Sequence, residues 1–160
     1  MNIVNPQTAL VSLSDKSNLY HIIDFLVKKK IKILSTGGTY NAIKKITDNV
    51  VEVSEFTGFD EMMDGRVKTL HPKIHAGILA RRDSDLELLE EKGYETIDLV
   101  IVNLYPFEET IKKDCSFEDA IENIDIGGPT MIRAAAKNFQ DVVVLSCLLY
   151  TSDAADDGLC

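Results

Sequence analysis

The stretch IDLVIVNLYPF, residues 97–107, decides the fold class. From Ile97 to Val102 the run is almost continuously apolar and lacks clean alternation. A strand with one face in water alternates apolar and polar side chains, whereas a strand covered on both faces need not. The run therefore predicts a central strand of a parallel sheet, with helices packed on both sides.

The upstream sequence has the rhythm such a sheet needs. ALVSLSD gives a strand over Ala9–Leu13, and NLYHIIDFLVKKK carries a broad apolar helical stripe through Leu19, Ile22, Ile23, Phe25, Leu26 and Val27. Ser17 or Asn18 stands where a cap for that helix belongs. Lys32–Ser35 reads as a second strand, Tyr40–Ile46 as a helix, and Val50–Val53 as a third strand. Strand, helix, strand, helix, strand points to parallel α/β. Downstream, Leu86–Glu91 reads as helix, Ser116 or Asp119 opens another through Asn123, Gly127-Gly128-Pro129 reads as a break, Thr130–Asn138 as helix, and Asp141–Ser146 as the last strand. The segment around Gly58, Gly65, Pro72 and Gly77 reads as loops and short helices around a site.

Composition narrows the function. The chain has 160 residues, enough for one domain, and its hydrophobic fraction of 45% fits a globular core. Its net charge of -9 argues against general binding to a nucleic-acid backbone, although a local basic cluster can still hold a phosphate. The 3 Cys are widely spaced, without CxxC, so neither a disulfide framework nor a zinc site is expected. No apolar run reaches the length of about 18 residues that suggests a membrane span. MNIVNPQTAL shows no secretory signal pattern, and a reducing, cytoplasmic setting is expected. At the other end, CLLYTSDAADDGLC changes composition abruptly. The domain is read as residues 1–146. Residues 147–160 are read as a flexible or artefactual tail foreign to the fold, the alternative being an ordinary disordered terminus.

Polar residues concentrate where strands end, the place where parallel sheets bind ligands. Ser12, Ser14 and Lys16 follow the first strand and could grip an oxyanion or merely cap a helix. Thr36, Gly37, Gly38 and Thr39 follow the second and read either as a phosphate cradle at a helix start or as a tight turn. GxxxxGK[ST] and GxGxxG are both absent. Arg66, Lys68 and Thr69 put two cations on one side of an extended segment, suited to an anion. His71 and His75 flank Pro72, which makes a regular helix across them doubtful, and structural roles suit them better than metal ligation. Asn103 and Tyr105 end the apolar strand, as ligand contacts or as a cap on the core. Asp125 precedes Gly127 and Gly128, as a helix cap or a general acid/base. Lys137 lies four residues past Arg133, on a face that is solvated or functional.

Taken in order and spacing, SLSDK, STGGT, FDEMMDGRVKTLHPKIHAGILARR, NLYPFEET and NIDIGGPTMIRAAAKN closely resemble the N-terminal IMP cyclohydrolase domain of the bifunctional purine biosynthesis proteins, over about Ala9–Ser146. The resemblance implies a methylglyoxal-synthase-like three-layer α/β/α fold with a mainly parallel sheet, C-terminally truncated here. It implies closure of FAICAR, the formylated carboxamide ribotide, to IMP with loss of water, the last step of de novo purine synthesis. Neither metal nor cofactor is implied for that step. 10-Formyltetrahydrofolate would serve only an AICAR formyltransferase domain that is missing here. By the same resemblance, Ser12, Ser14, Lys16, Thr36, Gly37, Gly38, Thr39, Arg66, Thr69, Asn103, Gly127 and Gly128 bind substrate, and Lys68, Tyr105, Asp125 and Lys137 form the catalytic set. The full-length protein is expected to be a homodimer, with no nucleic-acid or membrane partner. The rival readings are a methylglyoxal-synthase-like enzyme acting on a triose phosphate, a non-catalytic phosphometabolite-binding domain, and an inactive fragment of the cyclohydrolase.

Overall fold

The computed structural model describes residues 4–112 and 115–146, and the expected tail at 147–160 lies outside them. Its 5-stranded sheet has β1 (Thr8–Ser12) at the centre. On one side of β1 lie β2 (Lys32–Ser35) and then β3 (Val50–Glu52), and on the other β4 (Leu99–Val102) and then β5 (Val143–Leu145). Every ladder is parallel. The helices are α1 (Leu19–Lys28), α2 (Gly37–Lys44), α3 (Val53–Thr57), α4 (Pro72–Leu79), α5 (Leu86–Glu91), α6 (Phe107–Lys112), α7 (Phe117–Glu122) and α8 (Gly127–Lys137).

The pleat sorts the strand residues into two cores. Ala9, Val11, Ile33, Leu99 and Ile101 point to one face, where α1 supplies Leu19, Ile23 and Leu26 and α2 supplies Ile43. Leu10, Leu34, Val100 and Val102 point to the other, against Val53 and Phe56 of α3, Ile74 and Ile78 of α4, and Met131, Ala134 and Ala135 of α8. The result is a three-layer α/β/α domain, and all four residues of β4 are buried, as expected of a strand covered on both sides. Truncating a fully buried side chain such as Leu10 or Ile101 to alanine is the kind of change that costs about 2–5 kcal/mol.

The ends of several elements differ from the sequence reading. α2 begins at Gly37, not Tyr40, and α8 at Gly127, not Thr130. Both glycine pairs therefore lie in first helical turns, so Gly127-Gly128 is not a break, and Gly37-Gly38 takes the helix-start alternative rather than an isolated tight turn. Pro72 does not disrupt the helix over His75 but opens it at the first helical position, where its missing N–H costs nothing. β3 is cut to three residues because the chain turns at once into α3. α6 was not expected from the sequence.

At the opposite, N-terminal edge of the sheet, Asp98 ties the strands together. Its Oδ2 accepts from Gln7 N at 2.9 Å and Thr8 N at 3.2 Å, while Oδ1 accepts from Arg82 Nη2 at 3.1 Å. This leaves the C-terminal edge free for function. The strand order runs outward from β1 in two directions, so a crevice opens between the β1 and β4 ends, and ligands of open α/β sheets bind in such crevices.

Candidate active site

A cavity of about 620 Å³ occupies that crevice, within the range of small-molecule sites. It is lined by Ser12, Ser14, Lys16, Thr36, Gly38, Thr39, Arg66, Lys68, Thr69, Asn103, Tyr105, Asp125, Gly127 and Gly128, so segments far apart in sequence converge on one place. Two of the expected residues fall outside the lining. Gly37 sits just behind it, where an added Cβ would lie 3.5 Å from Lys68 Nζ. Lys137 is exposed at the far end of the 11-residue α8. At 1.5 Å of rise per residue it is carried about 15 Å along the axis from Gly127. Within this chain, Lys137 does not join Lys68, Tyr105 and Asp125.

One end of the cavity is built for an anion. Thr36 caps α2 in an extended conformation, and its carbonyl takes the N–H groups of Thr39 and Tyr40. The N–H groups of Gly37 and Gly38 make no hydrogen bond among the described residues. Gly37 has a φ of 50°, in the left-handed region that favours glycine. A left-handed residue followed by a helical one turns successive N–H groups toward one point, an anion-binding nest at a helix N-terminus. Lys16 and Lys68 flank this turn. Lys16 Nζ donates to Ser14 O at 3.2 Å and has no acidic partner among the described residues, while Lys68 Nζ is 3.8 Å from Glu61 Oε2.

Several expected ligand contacts turn out to hold the site in shape. The Asn103 Oδ1 accepts from Ser14 N at 2.6 Å and from Asp15 N at 3.3 Å, and its Nδ2 donates to Asp15 O at 2.8 Å. Asn103 thus clamps the β1–α1 loop to the end of β4. Thr39, buried, donates from Oγ1 to Leu13 O at 2.9 Å and accepts from Leu13 N at 3.0 Å, tying α2 to the same loop. Asp125 Oδ1 accepts from Gly128 N at 2.9 Å and so caps α8, while Oδ2 stays available. Gly127 and Gly128 are needed for close approach: an added Cβ would come within 2.7 Å of Thr69 Oγ1 at the first, and within 2.6 Å of Leu104 Cδ2 at the second.

Arg66 is not on an extended segment. Met62 and Val67 pair as an antiparallel bridge around a tight turn, with Met63 and Asp64 at φ of 56° and 53° and Gly65 at 86°. Arg66 leaves this turn to form an ion pair with Glu122 of α7, which holds the guanidinium above its ordinary pKa through hydrogen bonding and charge. Lys68 folds back across Gly65, where an added Cβ would meet its Cε and Nζ at 2.7 Å. Glu122 and Glu61 were missed by sequence reasoning, and Gly65 was placed near the site without a role. Gly65 carried a signal in its Asp-Gly-Arg setting, but nothing local marks Glu122, whose partner is 56 residues away.

The two histidines nearby serve the fold. His71 caps α4, its Nδ1 accepting from Lys73 N at 3.1 Å, and its ring lies against Phe59. His75 Nε2 is buried without a partner, and burial pushes the imidazole below its ordinary pKa. Among the described residues, no group of three or more His, Cys, Asp or Glu side chains is placed to hold a metal ion, and no helix is long and apolar enough to cross a membrane.

Comparison with known proteins adds family relationships to this geometry. Residues 18–130 match the family model of the MGS-like domain. The chain is 56% identical over 150 residues to the bifunctional purine biosynthesis protein PurH of Clostridium acetobutylicum, covering 92% of this chain and 30% of that protein. It is 58% identical over 140 residues to PurH of Fusobacterium nucleatum, covering 86% of this chain and 28% of that protein. It therefore spans under a third of the length of these relatives. Among solved structures, the crystal structure of ForH superposes with a TM-score of 0.77 at 34% identity, covering 96% of this chain and 83% of that one.

Proposed function

The chain belongs to the family of MGS-like domains, and we propose that its strand-end pocket closes FAICAR to IMP, the IMP cyclohydrolase reaction. The observation that carries this reading is one cavity with an anion nest at one end and Lys68, Tyr105 and Asp125 along its wall. The nest and the two flanking lysines suit a ribose phosphate. The high identity to proteins named for purine biosynthesis supports a purine-nucleotide substrate class.

Both reacting groups belong to one molecule, so much of the task is to hold the formamido carbon against the carboxamide nitrogen. The nitrogen attacks that carbon, a C–N bond forms, and the carbonyl oxygen becomes an oxyanion. Lys68 and Tyr105 donate hydrogen bonds to it. Asp125, whose Oδ2 is not used in capping, accepts a proton from the attacking nitrogen. The oxygen takes up that proton and a second one, the C–O bond breaks to release water, and the formamido nitrogen gives up its own proton to replace the second as the C=N bond forms, which completes the purine ring. Lys137, lying outside the cavity, takes no part in this scheme.

The same reading places the domain boundary at about residue 146. It makes the full-length protein a cytoplasmic homodimer with a formyltransferase domain that uses 10-formyltetrahydrofolate. A second reading, a non-catalytic phosphometabolite-binding domain, draws support from the absence of Lys137 from the pocket and the structural use of Asn103 and Asp125. An absorbance assay for IMP formation from FAICAR decides between them. Turnover that falls by about a hundredfold or more in Lys68→Ala, with binding nearly unchanged, is expected of an oxyanion donor. A folded chain that binds IMP but shows no turnover would favour the binding domain.

A further inference from the structure

Arg66 lines the cavity from a tight turn closed by its own backbone hydrogen bonds between Met62 and Val67. Met63 and Asp64 both occupy the left-handed region, which non-glycine residues keep only where the surroundings over-determine them. Met62 and Met63 are exposed, so the turn is not anchored by burial. Across the cavity mouth stands α7, closed at its start by a capping box between Ser116 and Asp119 but with no buried residue of its own. The Arg66–Glu122 pair joins these two exposed elements.

The geometry of the pair matters more than its strength. Glu122 takes the Nε edge of the guanidinium, with Nε donating to Oε2 at 3.3 Å and Nη2 donating to Oε1. Nη1 makes no hydrogen bond among the described residues. A guanidinium carries five N–H donors in a rigid fork, so a carboxylate on one edge leaves the other edge available and fixed in direction. Both side chains are more than half exposed, at 61% and 57%, so the pair adds little to folding stability. Its effect is to restrict a long side chain before a ligand arrives, which lowers the ordering cost of binding.

We infer that Glu122 is a positioning residue for the pocket: it holds one edge of Arg66 so that the free edge meets an acceptor on the bound nucleotide. This rests on the nucleotide site proposed above. Glu122 touches no reacting atom and acts through Arg66.

The test is a double-mutant cycle on the full chain, read by calorimetric binding of IMP, with ribose 5-phosphate as a second probe. Glu122→Gln should raise the Kd for IMP about fivefold and move the melting temperature by no more than about 2 °C. Arg66→Ala should raise the Kd at least as much. Adding Glu122→Gln to Arg66→Ala should then change nothing further, because the effect passes through Arg66. Ribose 5-phosphate, held by the nest beside Lys16, should bind both single variants as it binds the wild type. Unchanged IMP affinity in Glu122→Gln, with the wild type still binding, would overturn this inference alone. So would additive effects in the double variant. A wild type that binds neither probe would overturn the nucleotide site as well.

Discussion

Replacing Asn103 by alanine should loosen the phosphate end of the pocket without touching the ligand. The side chain makes two short hydrogen bonds, 2.6 Å to Ser14 N and 2.8 Å to Asp15 O, and a longer one of 3.3 Å to Asp15 N. A net contribution of about 0.5–1.5 kcal/mol per well-formed bond gives a loss of about 2 kcal/mol. For a domain of this size that lowers the melting temperature by about 4–8 °C. The released segment carries Ser14 and Lys16, so affinity for IMP should fall by about tenfold, which corresponds to about 1.4 kcal/mol. Thermal unfolding and calorimetric titration on the same preparation provide both numbers. Asn103→Asp retains the acceptor that holds Ser14 N and loses the donor to Asp15 O, so it should fall between the wild type and the alanine variant in stability. A loss of affinity with no loss of stability would make Asn103 a direct ligand contact and refute the clamp. A loss of stability with unchanged affinity would show that the loop keeps its shape by other means.

Two further outcomes follow from groups outside the pocket. Asp98→Ala removes the acceptor of Gln7 N, Thr8 N and Arg82 at once, and urea unfolding should show a loss of about 3 kcal/mol or more, with IMP affinity retained if the chain is studied below its transition. His75 has a depressed pKa in the folded state, so above about pH 6.5 both states hold it neutral, and as pH falls below that value the unfolded state takes up the proton first. Stability should therefore drop as pH falls through about 6.5 toward 5.5, above the carboxylate range. His75→Gln should flatten that drop, and an equal drop in the variant would assign it to another group.

The central strands β1, β2 and β4 were legible in the sequence because burial on both faces leaves a mark in most of their residues. Ile97–Val102 and Lys32–Ser35 could hardly be anything else once flanked by amphipathic helices. Helix starts were harder. Glycine pairs lower helix propensity, and only the structure shows Gly37 and Gly127 inside first turns, where free N–H groups and close approach outweigh propensity. Most polar pocket residues were legible because strand ends converge in any parallel sheet. Their roles were not, since those roles depend on contacts such as that of Asn103 with Ser14, 89 residues apart. Lys137 shows the converse case, a motif residue that does not line the cavity. Its motif is continuous with Gly127 in sequence, but helical rise takes it out of the site.

Among the polar groups at the strand ends, those with acceptors to spare are largely used internally. The Thr39 hydroxyl serves Leu13, Asn103 serves Ser14 and Asp15, and one oxygen of Asp125 serves Gly128. What remains uncommitted among the described residues is mostly donors: the N–H groups of Gly37 and Gly38, the hydroxyls of Ser12, Ser14, Thr36 and Tyr105, and the ammonium of Lys16 beyond its one bond to Ser14. A chain of net charge -9 repels anions at long range, so this concentration of free donors is a local arrangement against the global field. Internal acceptors do not complete it, whereas the oxygens of a phosphate supply acceptors in the number and spread that the donors require. The tied residues and the free ones are therefore parts of one device, the first group holding rigid the directions in which the second group points.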